Sequence, residues 1–174
     1  LRGNLQILSA HNAGNAAILA FENATGAIKI WIGSADFSNN SIDGEVDVLR
    51  RFRQVGSTLK PFLYLRAFQK LNWSSETEIL DEPRNFPVDF GNFFEPKNYD
   101  LDFRGVLTVR SAIAESRNVP AVTTLEQIGV SDFVGFLRGL GADFLSDTPE
   151  DSGLGVALGS AEMRLMSLAK IYGI

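Results

Sequence analysis

Cysteine is absent from this 174-residue chain, and histidine occurs once, as His11. The first absence excludes disulfides and thiolate-held metals. The second excludes any site built from several imidazoles, and a lone histidine in a loop argues against a Ser-His-Asp triad. His11 stands among Asn12, Gly14 and Asn15, a loop composition in which a solvated side chain is expected. No apolar run approaches the roughly 18 residues of a membrane span, and no signal-peptide pattern opens the chain. Lys and Arg form no long run and the net charge is -5, so the basic face that a nucleic-acid binder needs is missing. The opening Leu1-Arg2-Gly3 lacks a Met and reads as mid-chain, which places any export signal or membrane anchor outside it. No cofactor or metal site is expected.

What is present is ordinary globular material: 45% hydrophobic and 21% charged residues, enough for one domain or a large piece of one. Ala16 to Phe21 is a short apolar run, Glu22 to Gly26 has turn composition, and in Ala27 to Gly33 isoleucine recurs at every second residue. That pattern predicts a β-hairpin with at least one half-buried strand. Asp36 to Gly44 reads as a loop, and Arg50, Arg51 and Arg53 as a solvated or ion-paired patch. Pro61 is tolerated only in a first helical turn, so a helix is expected to start close to Ser57. Its apolar stretch from Leu59 to Phe68 suggests burial nearly all round. Trp73 to Asp102 is weakly periodic and reads as a long connection bordering a site. Helices are expected over Val106–Glu115, from Val119-Pro120 to near Gly129, from a Ser131 cap to Leu140 with Gly141 as the stop, and from a Ser160 cap through Tyr172 with Glu162 in the first turn. Gly153 to Gly159 reads as a glycine-punctuated loop whose spacing matches no phosphate-binding fingerprint. A hairpin followed by a helical body is an α+β pattern, with the sheet completed by strands beyond Ile174.

One charged residue stands where it needs a reason. Lys60 lies three residues after Ser57, at the start of the buried helix, and positions three apart share a helix face. A serine needs a base to become a nucleophile. Burial and the positive helix end both disfavour an ammonium, which turns a lysine into a usable base. The same helix end favours negative charge developing on the serine side, and Gly56 leaves space for a carbonyl to approach the Ser57 N–H. Alone, an S-x-x-K spacing also fits a helix cap followed by a solvated lysine. A second group, Ser116-Arg117-Asn118, falls at a junction between helices ahead of Pro120. It either projects a hydroxyl and an amide toward Lys60 or simply caps the next helix.

The wording around these residues resembles the class A penicillin-binding transpeptidases. S-x-x-K with a serine-x-asparagine element belongs to the signature of penicillin-binding proteins and class A β-lactamases. Arg53-Gln54-Val55-Gly56-Ser57-Thr58-Leu59-Lys60-Pro61-Phe62 is similar to that family's R-x-P-G-S-T-x-K-P-F phrase, with Val55 in place of proline. Glu22 to Gly33 resembles its first hairpin, Pro96-Lys97-Asn98-Tyr99-Asp100 with Gly105 its P-x-N-Y-D…G stretch, Ser116 to Val122 its S-x-N-x-P-A-V, and Leu158-Gly159-Ser160 with Leu168, Ala169 and Tyr172 its A-L-G-S…L-A-x-x-Y segment. The leucine in S-T-L-K-P-F-L-Y leans toward the C-type subgroup.

The resemblance implies a serine β-lactamase/penicillin-binding fold, an antiparallel sheet packed with helices plus a helical subdomain, with residues 1–174 as the N-terminal part of one domain. It implies Ser57 as nucleophile with its N–H as one oxyanion donor, Lys60 as general base, Ser116 as proton shuttle, Asn118 as a substrate-binding and lysine-orienting residue, and Gly56 as a substrate-binding position. The implied reaction is acyl transfer from D-Ala-D-Ala stem peptides of peptidoglycan, with β-lactams as acylating mimics. A membrane anchor and a glycosyltransferase domain are implied upstream, and an extracytoplasmic location. No lysine here is followed by Thr/Ser-Gly, so the K-T-G strand is expected beyond the chain. A carboxypeptidase or β-lactamase, deacylating to water, is the neighbouring enzymatic reading. A non-catalytic penicillin-recognising sensor is the reading from another class, kept open by Arg117.

Overall fold

The computed structural model describes residues 2–11, 13–88 and 92–173. The chain divides into two compact units, one of residues 1–53, 140–145 and 163–174, the other of residues 54–139 and 146–162. Helices and short antiparallel strands alternate, as an α+β pattern requires, and the strands pair in twos among the described residues. No helix among the described residues is long and apolar enough to cross a membrane.

The first unit opens with α1 (Arg2–Leu8) and a 3-10 turn that ends at the exposed His11. The hairpin follows as β1 (Ile18–Phe21) and β2 (Ile28–Ile32), antiparallel with Leu19 opposite Trp31. Its turn needs Gly26 at φ +71°, and the Gly26 N–H closes on the Glu22 carbonyl at 2.8 Å. The isoleucines, however, take the open face: Ile28 and Ile30 are 52% and 44% exposed. The packed face belongs to the alternate residues. Trp31 is partly buried, its indole N–H donates to Asp47 at 3.1 Å, and Arg50 stacks over its ring. Of the three basic residues expected on a surface, Arg50 pairs with Asp47, and Arg51 and Arg53 are exposed. The unit also holds α6 (Leu165–Tyr172), which buries Leu168 and Ile171.

The second unit carries the candidate residues. After β3 (Phe52–Gln54), a 3-10 turn over Gly56–Leu59 leads into α2 (Lys60–Leu71), with Pro61 in the first turn where its missing N–H has no partner to lose. Only one side of α2 is buried. Phe62, Leu63, Tyr64 and Ala67 face inward, and Leu65 is 43% exposed.

The stretch expected to be an irregular connection contains β4 (Glu78–Asp81), β5 (Phe86–Pro87) and β6 (Phe93–Phe94), with residues 89–91 outside the described residues. Strand β4 pairs with β7 (Gly105–Thr108), which takes the first residues of the expected Val106–Glu115 helix. The reason is local. Val106 points outward, Leu107 packs inward, and Thr108 caps the shorter helix α3 (Val109–Ala114) by accepting the Ser111 N–H. Tyr64, Ile79, Val109 and Ala112 form the core between α2, α3 and this strand pair.

Helix α4 (Asn118–Ile128) packs against α2, and α5 (Val130–Gly139) packs beside both. Helix α5 starts one residue ahead of the expected Ser131 cap, directly after Gly129 at φ +91°. The glycine-punctuated stretch is a kinked 3-10 segment over Pro149–Leu158 rather than an open loop, and Val156 and Ala157 are fully buried. Ser160 caps no helix. Its N–H turns back to the Gly155 carbonyl, and Glu162 lies in a short strand β8 (Glu162–Arg164) ahead of α6.

Candidate active site

The turn carrying Ser57 is fixed from two sides. Gly56 adopts φ +60°, a conformation that disfavours any Cβ, and an added Cβ there would meet nothing within 4 Å, in keeping with open space in front of the turn. Behind it lies Gly159, whose carbonyl accepts the Val55 and Gly56 N–H groups at 3.2 and 3.4 Å. A Cβ on Gly159 would stand 2.2 Å from the Gly56 carbonyl oxygen, so the contact requires glycine. Thr58 closes the turn by donating its hydroxyl to the Val55 carbonyl at 2.6 Å. Ser57 is exposed, and its carbonyl accepts the Lys60 backbone N–H as α2 begins.

Lys60 is 2% exposed. Its amine reaches the Ser116 carbonyl at 2.5 Å, the Ser116 hydroxyl at 3.2 Å and the Asn118 Oδ1 at 2.6 Å. Three of the four expected side chains are therefore joined directly. The fourth, Ser57, lies three residues before Lys60 in the turn that leads into α2, and its hydroxyl is not among the partners of that amine. Burial, reinforced by the nearby Arg117 charge, lowers the Lys60 amine to about 8. At that value about a tenth of it is neutral at pH 7, against a few parts in ten thousand for a free lysine.

Deprotonation has a geometric consequence. The Ser116 carbonyl and Asn118 Oδ1 can only accept, so they hold the two hydrogens of a neutral amine. The third and longest contact, to the Ser116 hydroxyl, is the one whose direction can reverse. A neutral amine can thus keep its orientation while its lone pair turns to a hydroxyl.

Ser116 itself adopts φ +53°, unusual for a residue with a side chain. It sits between α3 and α4, and α4 starts at Asn118. The Asn118 amide donates to the Lys97 carbonyl at 2.7 Å, and its backbone N–H donates to Asn98 Oδ1 at 2.8 Å. A cleft of about 290 Å3 opens beside Ser116, lined by Asn98, Tyr99, Asp100, Arg104, Glu115 and Arg117.

Behind this surface stand residues that the sequence reading did not place in the site. Asp81, at the end of β4, is fully buried; it accepts the Asn98 amide at 2.8 Å and Arg117 Nε at 2.8 Å. The P-x-N-Y-D wording was the available signal for Asn98 and Asp100, and the unusual middle residue of S-x-N was the signal for Arg117. Asp81 had none, being one acid among several in an acidic stretch.

The sequence matches the model of the penicillin binding protein transpeptidase domain over residues 16–156. It is 30% identical to penicillin-binding protein 1C of Escherichia coli K12, over 90% of this chain and 20% of that protein. It is 34% identical to penicillin-binding protein 1F of Bacillus subtilis 168, over 87% of this chain and 19% of that protein. The chain thus spans about a fifth of the length of these relatives. Its fold matches penicillin-binding protein 1A of Haemophilus influenzae with a TM-score of 0.79 at 23% identity, covering 91% of this chain and 23% of that one. It matches the PonA1 protein of Mycobacterium tuberculosis, solved with penicillin V, with a TM-score of 0.72 at 16% identity, covering 99% of this chain and 47% of that one. With the family model spanning most of its length, the chain belongs to the penicillin-binding protein transpeptidase domain family.

Proposed function

We propose that this chain carries the acylation half of a peptidoglycan D,D-transpeptidase site, with Ser57 as nucleophile and Lys60 as its base. The observation that supports it most is the buried amine of Lys60, held by Ser116 and Asn118 one turn from an exposed serine.

In this reading the neutral amine takes the Ser57 hydroxyl proton as the oxygen attacks the penultimate D-Ala carbonyl of a stem peptide. The Ser57 N–H, on the Gly56 turn, donates to the developing oxyanion. Collapse breaks the amide bond, and the proton passes from Lys60 through the Ser116 hydroxyl to the departing D-Ala nitrogen. The acyl-serine ester then meets the amine of a neighbouring stem, which displaces Ser57 and forms the cross-link. Asn118 holds the lysine through its Oδ1 and takes the substrate-binding role. A β-lactam follows the first step, and its ring nitrogen stays tethered. The parent protein is proposed to be of the C-type, with an upstream glycosyltransferase domain and membrane anchor, acting outside the cytoplasmic membrane. Residues 1–174 then form the N-terminal part of the transpeptidase domain, ahead of a K-T-G strand.

The test uses the full-length protein and a fluorescent penicillin. The wild type is expected to retain the label as a lasting adduct and Ser57→Ala to lose it. Equal labelling of both rejects the nucleophile, and rapid release of hydrolysed drug from the wild type would assign a β-lactamase instead.

A further inference from the structure

We infer that Asp81, Asn98 and Arg117 form a buried clamp that sets the Ser116–Asn118 turn against Lys60, with Arg117 as a positioning residue for acylation. The inference rests on the transpeptidase reading of this site.

Arg117 is only 4% exposed, and a buried guanidinium persists only where its donors are satisfied. They are satisfied in three directions. Nε donates to Asp81 at 2.8 Å, Nη1 to Asp100 at 2.9 Å, and Nη2 to the Asp102 carbonyl. Asp81 is fully buried, and its other oxygen takes the Asn98 amide. Asn98 in turn donates to the Asp102 carbonyl at 3.0 Å and accepts the Asn118 N–H at 2.8 Å. The end of β4 therefore holds the turn twice, through the Arg117 side chain and through the Asn118 backbone.

What is held is the residue pair on either side of Arg117. Among the described residues, Ser116, at φ +53°, and Asn118 supply every hydrogen-bond partner of the Lys60 amine. A turn with that backbone relaxes when its restraints are removed. Relaxation by about an ångström at a reacting centre can cost on the order of 100-fold in rate. Stability alone is a weak reason for the charge, because well-packed apolar residues can often replace a whole buried ion pair at no loss of stability. The Arg117 charge also disfavours the ammonium form of Lys60. The other charged groups at this corner are Asp81, Asp100, Asp102, Arg104 and Glu115.

The experiment compares Arg117→Met and Arg117→Lys with the wild-type full-length protein. It measures the acylation step and the prior binding step separately with a chromogenic β-lactam across pH, together with the melting temperature. Arg117→Met is expected to slow the acylation step about 10- to 100-fold with little change in binding, and to move the pH limb of acylation upward. Arg117→Lys is expected to recover part of the rate and return the limb toward that of the wild type. A folded Arg117→Met protein that acylates within twofold of wild type at an unmoved limb overturns the inference. If Arg117→Met gives no cooperative melt, Asn98→Ala decides: it leaves no buried charge unpaired, removes the link from Asp81 to the Asn118 backbone, and keeps the Arg117–Asp81 pair. A several-fold loss in the plateau rate supports the clamp, and an unchanged rate rejects it. Failure of the wild type to acylate at all would instead reject the transpeptidase reading.

Discussion

Lys60 is the base in the proposed chemistry, and its environment makes a quantitative demand. Burial first, and the Arg117 charge second, lower its amine to about 8. If the neutral amine is the base, acylation by a β-lactam rises about tenfold per unit between pH 6 and 7 and levels off above about pH 8. A rate that stays flat from pH 6 to 9 argues against the amine as base. Lys60→Ala removes the base, leaves the Asn118 carbonyl oxygen with one fewer donor, and is expected to cut acylation by two or more orders of magnitude. At this scale the sequence was most informative about residues that announce themselves. A lysine opening an apolar helix beside a proline has few structural uses, so Lys60 and Ser57 stood out. Asp81 did not, because nothing local separates a buried acid from its solvated neighbours. Only the pairing of β4 with β7 brings it beneath Asn98 and Arg117.

Among elements, the legible ones are those whose signal is local. The hairpin has its turn glycine and alternation, and α2 and α4 have prolines at their first turns. Strand β7 was hidden because Val106, Leu107 and Val109 fit a helical and an extended pattern equally, and its partner lies more than twenty residues earlier. The 3-10 segment over Pro149–Leu158 was hidden for another reason: the glycine that closes it, Gly159, serves a contact, not a flexible loop. Gly159 presses on Gly56, directly behind Ser57. Gly159→Ala would place a methyl inside the Gly56 backbone at φ +75°, so it is expected to destabilise by about 2–3 kcal/mol and to slow acylation at least tenfold by displacing the turn. Gly135 is the control. It lies in the interior of α5, where an added Cβ meets nothing within 4 Å, and Gly135→Ala should raise stability by about 0.5–1 kcal/mol with acylation unchanged. Thermal melts and penicillin labelling on both variants separate the contact from a general glycine effect, and a Gly159→Ala protein that behaves like wild type rules the contact out.

Stability against pH is a property of the whole molecule, and two side chains with lowered values make it rise with pH in separate windows. Asp132 on α5 accepts Arg66 Nε at 2.6 Å and Lys70 Nζ at 3.0 Å, tying α5 to α2. The Arg66 hydrogen bond leads in lowering its carboxyl to about 2. A depressed carboxyl contributes stability above its unfolded value, near 4, and loses it as the pH falls through about 2. Lys60 contributes a penalty rather than a gain but with the same slope: its depressed amine opposes folding while the lysine is charged, and that penalty is relieved as the pH rises from about 8 toward 10.5. The Asp132 pair is partly solvated, so its contribution is on the order of 1 kcal/mol, or about 2–4 °C in melting temperature for a chain of this size. Asp132→Asn should therefore melt lower than wild type by that amount at pH 7, and the two curves should converge as the pH approaches 2. Because the site lies at the other end of α2, acylation at pH 7 should be unaffected in the folded variant. Parallel melting curves, with the gap unchanged down to pH 2, would mean that the carboxylate titration is not what α5 contributes.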